Sequence, residues 1–366
     1  MNLRHHVMSG LPARFTDTGF RLAAVAMLLA VTVFFFAPRL ALWNLDYSGA
    51  FEAARGLTFL AQCEDPFRTD VELAMRWRVL PPLVCHALGL KGWMAFAIPW
   101  AGVAALVWAG LDWFLRHGLD RRAALAGGLL VATSSGVLVP LGWLGINDGW
   151  TWLCLLSVTA ARSNKGVAVA LLLGPWIDER VVVGLPLALW SRHCLDPKTA
   201  TPGRTMLLGL WVAPYLVSRL AAVTLGADQG TGRFLSLAFA DCAVWLPYAP
   251  LGWWMALRAG WLPVVFAAAD WWQHGKSAFA LGAVSFVAVA VPTLVLAADL
   301  SRSAAIFLPV LFLGWVRLAP RLGDRQLLAV SMVQLLLPAA HVVYNKIAVI
   351  SPLLLELYRL WRLALV

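Results

Sequence analysis

The side chains best suited to chemistry in this chain are carboxylates and arginines that interrupt apolar runs. Asp148 lies in LGINDGW, Asp178, Glu179 and Arg180 lie together in GPWIDERVVVG, and Asp299 and Arg302 stand three apart in LVLAADLSRSAAIF. Asp46 follows an earlier apolar run, with Arg76 and Arg78 downstream in RWRVLPP. Such combinations suit group transfer from an anionic donor. A carboxylate takes the proton of an attacking hydroxyl. An arginine grips a phosphate through paired, charge-assisted hydrogen bonds, and a fixed cation stabilises charge gathering on a departing phosphate. Asp46, Asp148, Asp178 and Glu179 are the candidate catalytic carboxylates. Arg76, Arg78, Arg180 and Arg302 are the candidate phosphate ligands, with Asp299 in support. Trp150 and Trp176, beside two acidic positions, are candidates for stacking on a sugar.

Each has a plainer reading. Asp46 and Asp148 serve equally well as helix caps or solvated loop residues, and Asp299 with Arg302 as an ion pair within one turn. The tryptophans fit an interfacial belt. Asp178-Glu179-Arg180 is harder to explain away, because the apolar runs beside it are the shortest in the chain. Ionisable groups near membrane depth are costly, and they pair, face a cavity or mark a pathway.

The elements that must position these groups follow from composition. The chain has 366 residues, 61% hydrophobic and only 13% charged, with 20 tryptophans. Soluble domains carry roughly 25% charged residues, and the mean hydropathy here is +0.76. Lipid is therefore the solvent, and soluble, secreted and disordered readings drop out. The net charge of +10 comes from short basic clusters between apolar runs, which orient membrane proteins; nucleic acid is not an expected partner. Five cysteines form no CxxC pair and seven histidines no HxxxH, so neither a metal site nor a cofactor is expected, although carboxylates from separate loops suffice to hold a divalent ion. Cys63 and Cys85 share one outer segment, either bridged there or as two buried thiols.

Apolar stretches cover 22–42, 92–111, 123–143, 206–225, 242–257, 277–298, 303–316 and 326–344, with shorter ones at 149–161, 166–177 and 181–191. Membrane helices need about 20 such residues, giving about ten or eleven crossings of one polytopic, all-α membrane domain over 1–366. Residues 261–273 read as interfacial. Residues 1–21 form a cytoplasmic tail before a retained first helix, and the basic clusters then fall on the cytoplasmic side. Residues 43–91 form a long outer loop, with an amphipathic surface helix over 47–62 and an interfacial segment over 79–90.

In its order of features the chain resembles the GT-C superfamily of glycosyltransferases that use polyprenyl-phosphate sugars. The matching pieces are LDYSGAFEAARG, RWRVLPPLVCHALGL, LGWLGINDGW, WIDERVVVGLPLALW and AADLSRSAAIFLP. The resemblance implies a GT-C-like helical bundle in the bacterial inner membrane. It also implies a polyprenyl-phosphate sugar as donor and a lipid or glycan as acceptor on the outer, periplasmic face. By resemblance Asp46 is the general base, and Arg76 and Arg78, or Arg302, meet the donor phosphate. Asp148 matches a second acidic position often written with two adjacent acids; Asn147 replaces one here. The competing expectations are a transporter or lipid flippase with a buried charged pathway, and a non-catalytic membrane subunit of envelope polysaccharide assembly.

Overall fold

The computed structural model describes residues 10–40, 51–71, 73–196, 207–225 and 230–364. Helix dominates, as apolar chain in lipid requires, because a helix satisfies its own backbone polar groups. The first long helix, α1 (Gly10–Phe35), is followed by α2 (Phe51–Glu64), α3 (Leu73–Arg76) and α4 (Leu80–Ala87). Then come α5 (Ala97–Arg116), α6 (Arg121–Ala132), α7 (Ser135–Gly142), α8 (Asp148–Ala160), α9 (Asn164–Leu173) and α10 (Arg180–Leu195). The second half holds α11 (Ala213–Thr224), α12 (Gly230–Trp245), α13 (Ala249–Leu257), α14 (Trp261–His274), α15 (Lys276–Leu296), α16 (Leu300–Ser303), α17 (Leu308–Leu318) and α18 (Asp324–Leu336). A hairpin of β1 (Ala339–Val343) and β2 (Lys346–Ile350) and a final α19 (Leu353–Ala364) end the described chain.

Among the described residues six helical stretches are long and apolar enough to cross a membrane, or seven with the bent pair α6–α7. The chain is a multi-pass helical membrane protein. The crossings are fewer than the ten or eleven expected from hydropathy. The helices α8, α9 and α10 have 13, 10 and 16 residues, and even the longest reaches only about 24 Å at ~1.5 Å per residue. Two of them are core helices: α8 packs between α5 and α10, and α10 also meets α15 and α17; α9 buries only Val167, Ala170 and Leu171. Residues 238–273 contain a stretch long and apolar enough to span, in which 261–273 belongs to α14, beyond the break at Arg258.

Two helix breaks face each other at depth and satisfy one another. The axis turns by 51° between α6 and α7, which frees the Thr133 carbonyl. Arg258, between α13 and α14, is fully buried and donates to that carbonyl at 2.5 Å, with its guanidinium 4.3 Å from the Phe36 ring. Gln334 of α18 ties both breaks: Nε2 donates to Thr133 Oγ1 at 2.8 Å, and Oε1 accepts from Ala259 N at 2.9 Å. This is how broken helices survive away from water.

The expected helix over 326–344 stops at Leu336, and the chain turns into the hairpin. The all-α expectation thus holds for the bundle but not for this segment. The strands are antiparallel, with Ala339 opposite Ile350 and Val343 opposite Lys346. His341, Val342 and Val343 lead into a two-residue Tyr344-Asn345 turn, with Tyr344 at φ 51°. β-Branched residues on each side of a turn-forming Asn favour pairing over helix. Tyr344 N donates to Ala298 O at 2.7 Å, and Val342 N to Ser301 Oγ at 3.0 Å, so the hairpin is stitched to the α15–α16 connection.

The segment holding α2 to α4 carries a small core of its own. Phe59, Cys63, Cys85, Phe96 and Leu144 are buried together, joining α2 and α4 to the bundle. Burial of the Phe59 ring contributes about 2 kcal/mol. Helix α2 overlaps the expected 47–62, of which 47–50 lie outside the described residues, and α4 starts with prolines in its first turn, where no hydrogen-bonded N–H is lost. Cys63 and Cys85 are free thiols here.

Candidate functional site

Three helix starts and one loop bring the charged residues together. Asp148 is the first residue of α8, where a carboxylate faces the positive end of the helix. That start can lie this deep because Gly149 meets the α5 backbone: a Cβ there would come 2.4 Å from Gly102 C and Val103 N. Asp178 precedes α10, and its Oδ1 accepts from the Arg180 backbone N–H at 3.0 Å. Arg302 belongs to the single turn α16, and Arg78 to the link between α3 and α4.

From these starts the side chains form one continuous ionic chain. Arg78 holds Glu179 at 2.6 Å and Asp178 at 3.2 Å. Asp178 makes two 2.7 Å bonds with Arg180. Arg180 reaches Asp148 Oδ1 at 2.5 Å, and Arg302 takes both Asp148 oxygens, at 2.6 and 3.0 Å. Arg302 also meets Asp299 at 3.1 Å, and Asp299 Oδ1 lies 2.6 Å from His341 Nε2. The Arg180 guanidinium rests over the buried Trp152 ring, 4.9 Å from its centre. Hydropathy alone cannot join groups so distant in sequence.

Burial sorts these groups by what they can touch. Asp148 and Asp178 are 1% and 2% exposed and have their oxygens committed to arginines, so they position the cations. The Glu179 side chain is 41% exposed and that of Asp299 17%. Burial alone would push Asp178 upward, but the Arg180 and Arg78 charges outweigh it and hold the carboxyl well below the usual range. Burial would likewise raise Asp299, and His341 and Arg302 hold it well below that range.

Beside this chain lies a cavity of about 260 Å³. Arg55, Arg78, Arg180, Arg302, Glu179 and Asp299 form its polar side. The opposite side is apolar: Val183 of α10, Pro292 and Leu296 of α15, Ala297 and Ala298, and Val343 of the hairpin. A row of guanidinium groups facing an apolar wall fits an amphiphile with an anionic head.

The expected residues thus divide. Asp148, Asp178, Glu179, Asp299, Arg78, Arg180 and Arg302 come together. Asp46 lies outside the described residues. Arg76 ends α3 and does not line the cavity. Trp150 packs instead: its indole N–H donates to Ile98 O at 2.8 Å and its ring covers Gly102. Trp176 is edge-on to Tyr215, with ring centres 5.2 Å apart, and also lies off the cavity. Neither tryptophan is placed to stack on a ligand there. Arg55, Trp143 and His341 were not singled out by the sequence. Trp143 lines the cavity and sits edge-on to His341, with centres 4.4 Å apart. The signal for His341 was a histidine beside a β-branched run, AAHVVYNKIAV. Among the described residues no three His, Cys, Asp or Glu side chains gather to hold a metal ion.

No family model matches this chain, and no curated protein or solved structure matches it.

Proposed function

We propose that this protein is a membrane glycosyltransferase. It moves a sugar from a polyprenyl-phosphate donor to a lipid or glycan acceptor on the outer face of the bacterial inner membrane, with its N-terminus in the cytoplasm. The observation that carries this reading is the single cavity in which Arg78, Arg180 and Arg302 face an apolar wall, with Glu179 and Asp299 at its polar side. The isoprenoid lies along the apolar wall and the phosphate meets the guanidinium row. A base-activated acceptor oxygen attacks the anomeric carbon, the bond to the phosphate oxygen breaks, and the sugar is transferred with inversion. Polyprenyl phosphate leaves with the electron pair, where the arginines stabilise its added charge. The acceptor proton passes to a carboxylate. Of the four carboxylates in the ionic chain Glu179 is the most exposed, and Asp46 holds that role by resemblance to the GT-C superfamily.

The test is transfer in proteoliposomes, with undecaprenyl phosphate linked to glucose, mannose, galactose or arabinose as donor and an envelope lipid extract as acceptor. Wild-type protein is expected to consume at least one donor. Either Glu179→Gln or Asp46→Asn is expected to slow transfer ~100-fold or more, the usual cost of losing a general base, while binding undecaprenyl phosphate normally. No consumption of any donor together with proton-coupled uptake of a solute would instead establish a transporter. Full activity in both variants would remove these carboxylates from the chemistry.

A further inference from the structure

Behind the guanidinium row lies a second hollow with a different lining. Arg55, Arg78 and Arg302 border both spaces, but this one is closed by α2 and by the α7–α8 loop and is only about 10 Å³. That is room for a single water-sized group. Two amides line it. Gln62 is 1% exposed, and its Nε2 donates to Met75 O at 3.1 Å. Asn147 Nδ2 donates to Gly145 O at 3.3 Å. Turning either amide over would set carbonyl oxygen against carbonyl oxygen, so the backbone fixes both orientations. The remaining atoms, Gln62 Oε1 and Asn147 Oδ1, are buried without a protein donor.

Fixed acceptors of this kind call for a donor, and a hydroxyl supplies one O–H to them while its oxygen accepts from the guanidinium groups that also line the hollow. We propose that the hollow is a hydroxyl subsite, in which Gln62 Oε1 or Asn147 Oδ1 accepts the single O–H of one hydroxyl of the sugar whose phosphate lies against the same arginines. The inference rests on the glycosyltransferase reading and adds a selection to it. The protein prefers glycosylated to bare polyprenyl phosphate, and a hydroxyl to an acetamido group, which exceeds the space. Asn147, at the position where the family pattern often has a second acid, reads a hydroxyl rather than holding a cation.

Binding separates the possibilities without turnover. Detergent-purified protein is titrated with undecaprenyl phosphate and with undecaprenyl phosphate carrying glucose, mannose, galactose or N-acetylglucosamine. Wild type should bind at least one hexose lipid ~10-fold more tightly than the bare lipid, the worth of about one hydrogen bond, and the N-acetyl sugar no more tightly. Replacing both amides, Gln62→Met with Asn147→Leu, should abolish the preference while leaving bare-lipid affinity unchanged; Gln62→Leu with Asn147→Leu carries the test if the first pair fails to fold. A preference that is missing in wild type, or that persists in the variants, overturns the subsite and leaves the glycosyltransferase reading standing. Failure of wild type to bind undecaprenyl phosphate overturns both.

Discussion

Asp148 shows how far a residue's role depends on what it meets. Its sequence position suits a catalytic acid, yet Arg180 and Arg302 take both oxygens and it is 1% exposed. Asp148→Asn would leave two buried guanidinium groups short of a counter-charge, and breaking a buried pair costs about 3–5 kcal/mol. Its melting temperature in detergent should therefore fall sharply. Glu179→Gln, at a 41% exposed side chain, should change it little, since exposed pairs contribute about 0–1 kcal/mol. Equal losses in both would mean that the ionic chain does not share its load as its burial implies. Acid tests the same chain. Asp178 and Asp299 are held below the ordinary carboxylate range, which centres near ~3.9. Depressed folded values stabilise the protein above that range, and the benefit is lost as pH falls through them. The contribution of these two groups should be constant from about pH 8 to pH 5 and decline below about pH 4. Asp178→Asn should flatten that acid limb in a melting-temperature series; an unchanged limb would place the titrating groups elsewhere.

At the scale of elements, the site is assembled where helices begin and where two non-helical pieces close over them. One is the hairpin, which brings His341 to Asp299 and Tyr344 to the cavity. The other is the α7–α8 loop under α2. Gly145 there has φ 77°, and an added Cβ would stand 2.5 Å from Phe59 Cβ. Gly145→Ala combines backbone strain with overpacking, each about 1–3 kcal/mol, and should lift α2 from the bundle. Cys63, on the buried face of α2, and Cys85 of α4, packed in the same cluster, report this directly: maleimide labelling should accelerate in Gly145→Ala, and equal rates would show that α2 tolerates the methyl group.

For the whole molecule, the span over Gly92–Arg116 separates the outer segment from the loop holding Arg116, Arg121 and Arg122. Basic loops stay in the cytoplasm. In a background without the native cysteines, a cysteine at Asp65 should react with an impermeant maleimide on intact cells. One at Gly118 should react only after permeabilisation. Labelling of Gly118→Cys from outside would invert the topology and move the charged cavity to the cytoplasmic face.

Composition by itself determined the solvent: so few charges over so long an apolar chain leave only lipid, and in lipid only helices that satisfy their own backbone. The charged segments around Asp148, Asp178, Asp299 and Arg302 were also legible, because ionisable residues stand out against apolar runs. Hydropathy did not distinguish a crossing from a short core helix, since 149–161 and 181–191 read as apolar runs and differ from spans in length and in what covers them. It did not show the hairpin, whose valines and isoleucines suit either structure until Ser301 Oγ and the Ala298 carbonyl accept from the Val342 and Tyr344 backbone N–H groups. Nor did it separate Asp148 from Glu179. Whether a carboxylate is consumed by arginines or left facing a cavity is decided by contacts between segments more than a hundred residues apart, and only the tertiary structure makes those contacts.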